Sequence, residues 1–194
     1  MLPIRKAFAR YSPWLTVVAV YLVLGLAGRT VLWSRFGMEA DVGASRLPYV
    51  LTAGCVNDLV ESLYLFAPFA LYILLVPDRW FRSTANRVIL YGATAATITG
   101  LIYLTAAEYF FFEEFDARFN IVAYDYLAYP TEVFTDIWDA YPVLKVLGVA
   151  VTLAALAAFF LRNSIKPGFD HVVLFRERLV AFAPYALALA LVVV

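Results

Sequence analysis

Residues 14–34 read WLTVVAVYLVLGLAGRTVLWS, a run of 21 residues in which Arg29 is the only charge. An α-helix rises about 1.5 Å per residue and needs roughly 20 residues to cross the hydrocarbon core of a bilayer. The stretch therefore has the length of a transmembrane span. Arg5, Lys6 and Arg10 precede it, so a cleaved signal peptide is the competing reading. Apolar character extends to Phe36, however, beyond the roughly 7–15 residues of a signal-peptide core. A retained helix fits better.

Working outward, four further stretches have similar character: 54–76, 88–112, 143–161 and 179–194. The chain has 194 residues, 64% of them hydrophobic and 15% charged, far from the roughly 45–50% apolar usage of soluble domains. The expected fold is thus all-α, a polytopic membrane bundle of about five transmembrane helices. Formal net charge is zero and no Lys/Arg run interleaved with aromatics occurs, which removes nucleic acid as a partner. Cys55 and His171 are the single cysteine and histidine. They exclude a disulfide framework and the Cys/His zinc spacings, so no metal site is expected in this chain.

Orientation follows from where the basic residues fall. Arg5, Lys6 and Arg10 lie before the first span, Arg79, Arg82 and Arg87 in the 77–87 loop, and Arg162, Lys166, Arg176 and Arg178 after the fourth span. That places ten of the fifteen bases on one side. Only Asp78, Asp170 and Glu177 of the fifteen carboxylates share those segments. Both biases predict a cytoplasmic N-terminus and an extracytoplasmic C-terminus. The last span reaches Val194 without a charged or aromatic flank, and the chain is expected to be the front of a longer protein; a short protein with a ragged end is the alternative.

Ionisable residues inside a membrane cost several kcal/mol unless satisfied, and each is a candidate for function. Asn57, Asp58 and Glu61 share one helical face near the outer end of the second span. Thr105 and Glu108 share a face near the outer end of the third, and Arg29 lies in the last turns of the first. All gather in the outer half. One reading is structural: Arg29 snorkels, and the carboxylates pair with it or stay hydrated. The other is a polar vestibule for a lipid headgroup, open to the outside. Paired carboxylates also serve as acid and base, but no nucleophile accompanies these, and no catalytic residue is assigned.

Residues 108–143 read EYFFFEEFDARFNIVAYDYLAYPTEVFTDIWDAYPV, densely aromatic and acidic, with Arg118 as the only base. Pro130 suits the first position of a helix, Glu132 its N-terminal turn, and Pro142 its end. Val133, Phe134, Ile137, Trp138 and Tyr141 recur at helical spacing, opposite Glu132, Thr135, Asp136 and Asp139. An amphipathic interfacial helix on the outer side is expected within segment 113–142. Its acidic face suits packing on the bundle, or under a following domain, better than contact with anionic lipid.

This segment resembles the juxtamembrane region of the lipoteichoic-acid-synthase-like phosphoglycerol transferases of the alkaline phosphatase/sulfatase superfamily. The family pattern EF..RFN, DYL.Y..EV and SYPV is met by Glu114, Phe115, Arg118, Phe119, Asn120, Asp125, Tyr126, Leu127, Tyr129, Glu132, Val133, Tyr141, Pro142 and Val143. Ala140 stands where the pattern has Ser. The Asp58 region and the five-helix architecture look similar too.

The resemblance implies the membrane-anchoring domain of a lipid-dependent transferase acting outside the bacterial cytoplasmic (inner) membrane. It would move phosphoglycerol, or a similar phospho-alcohol, from a phosphatidylglycerol-like lipid. The family's catalytic threonine and divalent-metal ligands (Mn or Mg) belong to an extracytoplasmic domain expected after residue 194, so this chain alone would be non-catalytic and would carry no cofactor. Its partners would be membrane lipid and that domain. Headgroup or docking candidates are then Arg29, Asn57, Asp58, Glu61, Glu108, Arg118, Asp125, Tyr126, Tyr129 and Glu132, with Arg118 meeting either a lipid phosphate or an acidic partner in the loop. The rivals are a small membrane scaffold or assembly protein and a transporter subunit. Against transport, the inner halves of the spans hold no matching charges.

Overall fold

The computed structural model describes residues 3–37, 43–119 and 130–193, and every regular element among them is helical. A short α1 (Pro3–Arg10) leads into α2 (Ser12–Phe36). After a 3-10 turn, Ala44–Arg46, come α3 (Leu47–Leu65) and α4 (Ala67–Leu75). A single-turn α5 (Asp78–Phe81) precedes α6 (Thr84–Phe115). Then follow α7 (Pro130–Ala140), α8 (Val143–Ile165), a 3-10 turn at Lys166–Phe169, and α9 (Phe175–Val193).

Three helices are long and apolar enough to cross a membrane: α2, α6, and α8 together with its following turn. α3 and α4 qualify jointly as a fourth span, bent by 47° at Phe66. The bend has an identifiable cause. Pro68 lacks an N–H and its ring opposes a continuing helix, so the chain restarts with Pro68 in the first turn of α4. Side chains from neighbouring helices bond the carbonyls flanking the break: the Trp14 indole N–H donates to Phe66 O at 3.1 Å, and the Tyr185 hydroxyl donates to Leu63 O at 2.6 Å. Such substitutes are what a break at bilayer depth requires. α9 is not among the candidate spans; its opening turn holds Arg176, Glu177 and Arg178.

α2 is central, packing against α3, α6 and α8, while α6 packs along α8, and α9 against α1, α4 and α3. The outward faces stay apolar. Val23 is 64% exposed and Phe160 73%, contiguous apolar surface of the kind that calls for hydrocarbon or another protein rather than water.

The sequential helices alternate in direction, which brings the basic segments to one end. Ser12 donates to Ile165 O, Arg82 to Phe169 O, and Tyr91 to Arg162 O. A buried knot forms at this basic end. The Asp78 carboxylate accepts from Arg10, from Arg178 at 2.7 Å and from the Val173 N–H at 2.6 Å, while Val76 O accepts from Arg10 at 2.6 Å and Arg178 at 2.8 Å. Burial, followed by the nearby Arg178 charge, lowers the Arg10 pKa to about 10 against the pull of Asp78. Burial also pushes the neighbouring Tyr11 phenol up to about 12. Around the knot lies the main apolar cluster, including Ile73, Phe81, Ile165, Phe169 and Val173.

The opposite, aromatic end is where α2 and α6 finish and α3 and α8 begin. Phe36 packs on Tyr109 and Phe112, and Phe110 on Tyr141. α6 terminates at Asp116, in the left-handed region at φ 51°, with its N–H bonded to Phe112 O; a short polar side chain tolerates that conformation better than most. The helix that Pro130 and Pro142 delimit is α7. Its expected apolar face divides in two: Val133, Ile137 and Tyr141 turn towards α6 and α8, whereas Phe134 and Trp138 stack on each other, 62% and 45% exposed.

Candidate functional site

α2 and α3 run antiparallel in one register. Trp14 meets Phe66, the Tyr21 hydroxyl donates to Glu61 at 2.6 Å, and Arg29 makes a two-pronged ion pair with Asp58, one prong at 2.5 Å. Two glycines make the pair possible. Each helix carries a glycine one turn before its charged residue: Gly25 before Arg29, Gly54 before Asp58. A Cβ on Gly25 would collide with the Asp58 carboxylate, and one on Gly54 would lie 2.6 Å from Arg29 Cδ. Each glycine is thus the socket for the other helix's charge. Removing side chains at both positions lets the backbones approach closely enough for a fork-to-fork contact.

The pair is buried, Arg29 at 7% and Asp58 at 5% exposure. An Arg and an Asp in a low-dielectric interior hold their charges only together, and removing one strands the other. Depth matters too. α3 begins at Leu47, seven residues ahead of the apolar stretch at 54, so Asp58 lies eleven residues into the helix, roughly 16 Å along it rather than the roughly 6 Å that a start at 54 would give.

α6 closes the site from the third side. Gly28 lets it approach α2, since a Cβ there would lie 3.2 Å from Thr105 Cγ2. One turn on, Glu108 pairs with Arg118, whose side chain is 49% exposed against 15% for Glu108. The three helices thereby enclose a half-open cavity of about 480 Å³, within the usual 300–1,000 Å³ of small-molecule sites. Tyr21, Asn57, Glu61, Thr105, Glu108 and the Arg29–Asp58 pair supply its polar wall, with Arg118 beside Phe119 at its rim; Leu24, Leu65, Leu101 and Leu104 supply the apolar one. Two guanidinium groups face three carboxylates. Towards the basic end the cavity is stopped by an apolar cluster of Val17, Val18 and Phe66 with Trp14, Leu22 and Phe69 packed around it.

The structure brings together six of the residues singled out in the sequence: Arg29, Asn57, Asp58, Glu61, Glu108 and Arg118. Glu132 is exposed in the first turn of α7 and lines no part of this cavity. Asp125, Tyr126 and Tyr129 lie outside the described residues. Tyr21 is the polar residue that sequence reasoning passed over; it sits at four-residue spacing with Gly25 and Arg29, a signal legible only once α3 supplies Glu61 opposite. Of the two readings of Arg29, its pairing with Asp58 is the contact present. Arg118 likewise pairs with Glu108.

Chemically, this arrangement can hold a polar group. Asn57, Glu61, Thr105 and Glu108 offer acceptors, Arg118 a charged donor beside the opening. Among the described residues, no group of three His, Cys, Asp or Glu side chains is placed to share a metal ion. No protein-family model, curated protein or solved structure matches the chain.

Proposed function

We propose that this chain is the membrane domain of a phosphoglycerol-type transferase of the bacterial cytoplasmic membrane, and that its cavity holds the headgroup of a phosphatidylglycerol-like lipid on the outer side. The observation that carries the reading is the half-open, mixed-charge cavity set among apolar helices, at the end opposite the basic knot. Basic residues favour the cytoplasmic face, so a cavity opening towards the aromatic end faces outwards. There the phosphate meets Arg118, and glycerol hydroxyls donate to Glu61 and Asn57. α9 is the fifth span in this reading, and α7 lies at the outer interface. The chain has no catalytic role of its own; the reaction belongs to an extracytoplasmic domain that uses a divalent metal.

A transporter subunit would need polar groups continuing through the bilayer, and the Val17–Val18–Phe66 cluster opposes that. A scaffold would have no use for an open charged cavity. Native mass spectrometry of the purified chain in nanodiscs tests the proposal. Phosphatidylglycerol is expected to be retained over phosphatidylcholine, which offers no hydroxyl, and Arg118→Ala is expected to weaken retention about tenfold, the factor worth 1.4 kcal/mol. Equal retention of both lipids, or a preference for phosphatidylethanolamine, would contradict it.

A further inference from the structure

Beside the polar cavity lies a second one, of about 490 Å³, between α6, α7 and α8. Its character is different. Phe110, Phe111, Ile137, Tyr141 and Val146 line it, and its acidic side chains are Glu114 and Asp136. The two cavities share two wall residues, Leu104 and Phe119. α6 is the ridge between them: Thr105 and Glu108 face the charged side, Ala107 and Phe110 the aromatic side, nearly half a turn around the helix at about 100° per residue. Phe119 is held over this ridge by Phe111, ring centroids 5.1 Å apart, and Phe111 in turn packs on Phe115 at 4.6 Å.

A charged chamber adjoining an aromatic one across two apolar side chains matches an amphiphile with its polar and apolar parts in separate compartments. A soluble polar ligand would leave the aromatic groove without a role. A second protein helix is poorly suited, because the groove is already roofed by α7. We infer that the aromatic cavity seats one acyl chain of the lipid whose headgroup occupies the charged cavity, with the lipid backbone crossing between Leu104 and Phe119. This rests on the headgroup reading above and adds to it the place of the chain. A groove in contact with hydrocarbon gains little from the hydrophobic effect, since lipid tails are as apolar as its walls. What it contributes is position, by close packing around a single chain.

The test is photo-crosslinking in vesicles of phosphatidylglycerol and phosphatidylcholine. A phosphatidylglycerol carrying a diazirine on one acyl chain is irradiated with the full chain, and the adducts are mapped by peptide mass spectrometry. Adducts concentrated at Phe110, Ile137 and Tyr141 are expected. In the Ala107→Phe variant, which fills the groove from the α6 side, they are expected to fall about tenfold, a loss equivalent to 1.4 kcal/mol. Adducts confined to outward-facing residues such as Leu153 and Phe160 would overturn the acyl seat. So would an undiminished groove signal in Ala107→Phe. The wild-type map needs no variant to fold. Repeating it with a diazirine phosphatidylcholine separates the two ideas: groove adducts equal for both lipids keep the acyl seat and refute headgroup selection, while selective retention without groove adducts does the reverse.

Discussion

Gly54 has no side chain, and that is its contribution. Arg29 passes over it to reach Asp58, and the Gly54→Ala variant forces the arginine stem aside. In an open helix the change stabilises by roughly 0.5–1 kcal/mol, because alanine loses less backbone freedom. Here the overpacking cost of about 1–3 kcal/mol outweighs it, and the melting temperature in detergent should fall. An unchanged or raised value would show that the pair does not need the socket. Asp58→Asn should be harsher, about 3–5 kcal/mol, because Arg29 is left charged and buried at 7% exposure. Pairing it with Arg29→Leu should recover most of that loss; if the double variant is no more stable than Asp58→Asn alone, the coupling is absent. Arg118 sits at the other extreme, half exposed on Glu108. Arg118→Ala should cost under about 1 kcal/mol of stability, yet weaken retention of phosphatidylglycerol if the proposed headgroup site is correct. Unchanged retention would remove it from the site.

At the scale of elements, the charges of the basic end hold helices together. Asp78 ties α1, α5 and α9 together through Arg10, Arg178 and Val173. Asp78→Asn leaves two guanidinium groups, 1% and 6% exposed, without their counter-charge. The variant should lose about 3–5 kcal/mol and expose α1 to protease; a wild-type digestion pattern would refute the knot. None of this was legible in the sequence. Arg10, Asp78 and Arg178 are separated by 68 and 100 residues, and in a linear reading they count only as charges on one side of a membrane. Apolar length marks α2, α6 and α8 plainly. The break at Phe66 was not read, although Pro68 signals it, because hydropathy runs on unbroken through α4. The outline of α7 follows from Pro130 and Pro142, but which aromatics face the bundle depends on where α6 and α8 lie.

For the molecule as a whole, the six site residues converge because three helices bring to one depth what the sequence spreads from Arg29 to Arg118. Periodicity grouped Asn57, Asp58 and Glu61; it had no means to show that Gly25 and Gly54 are sockets, or that a second cavity shares a wall with the first. The proposed function depends on which face of the membrane the polar cavity opens to. Cysteine accessibility decides that most directly. In a Cys55→Ala background, Asp139→Cys on the exposed side of α7 and His171→Cys beside the basic knot are each treated on intact cells with a membrane-impermeant maleimide. Labelling at position 139 without permeabilisation, and at 171 only after it, is the predicted result. The reverse pattern would turn the cavity towards the cytoplasm and contradict the account.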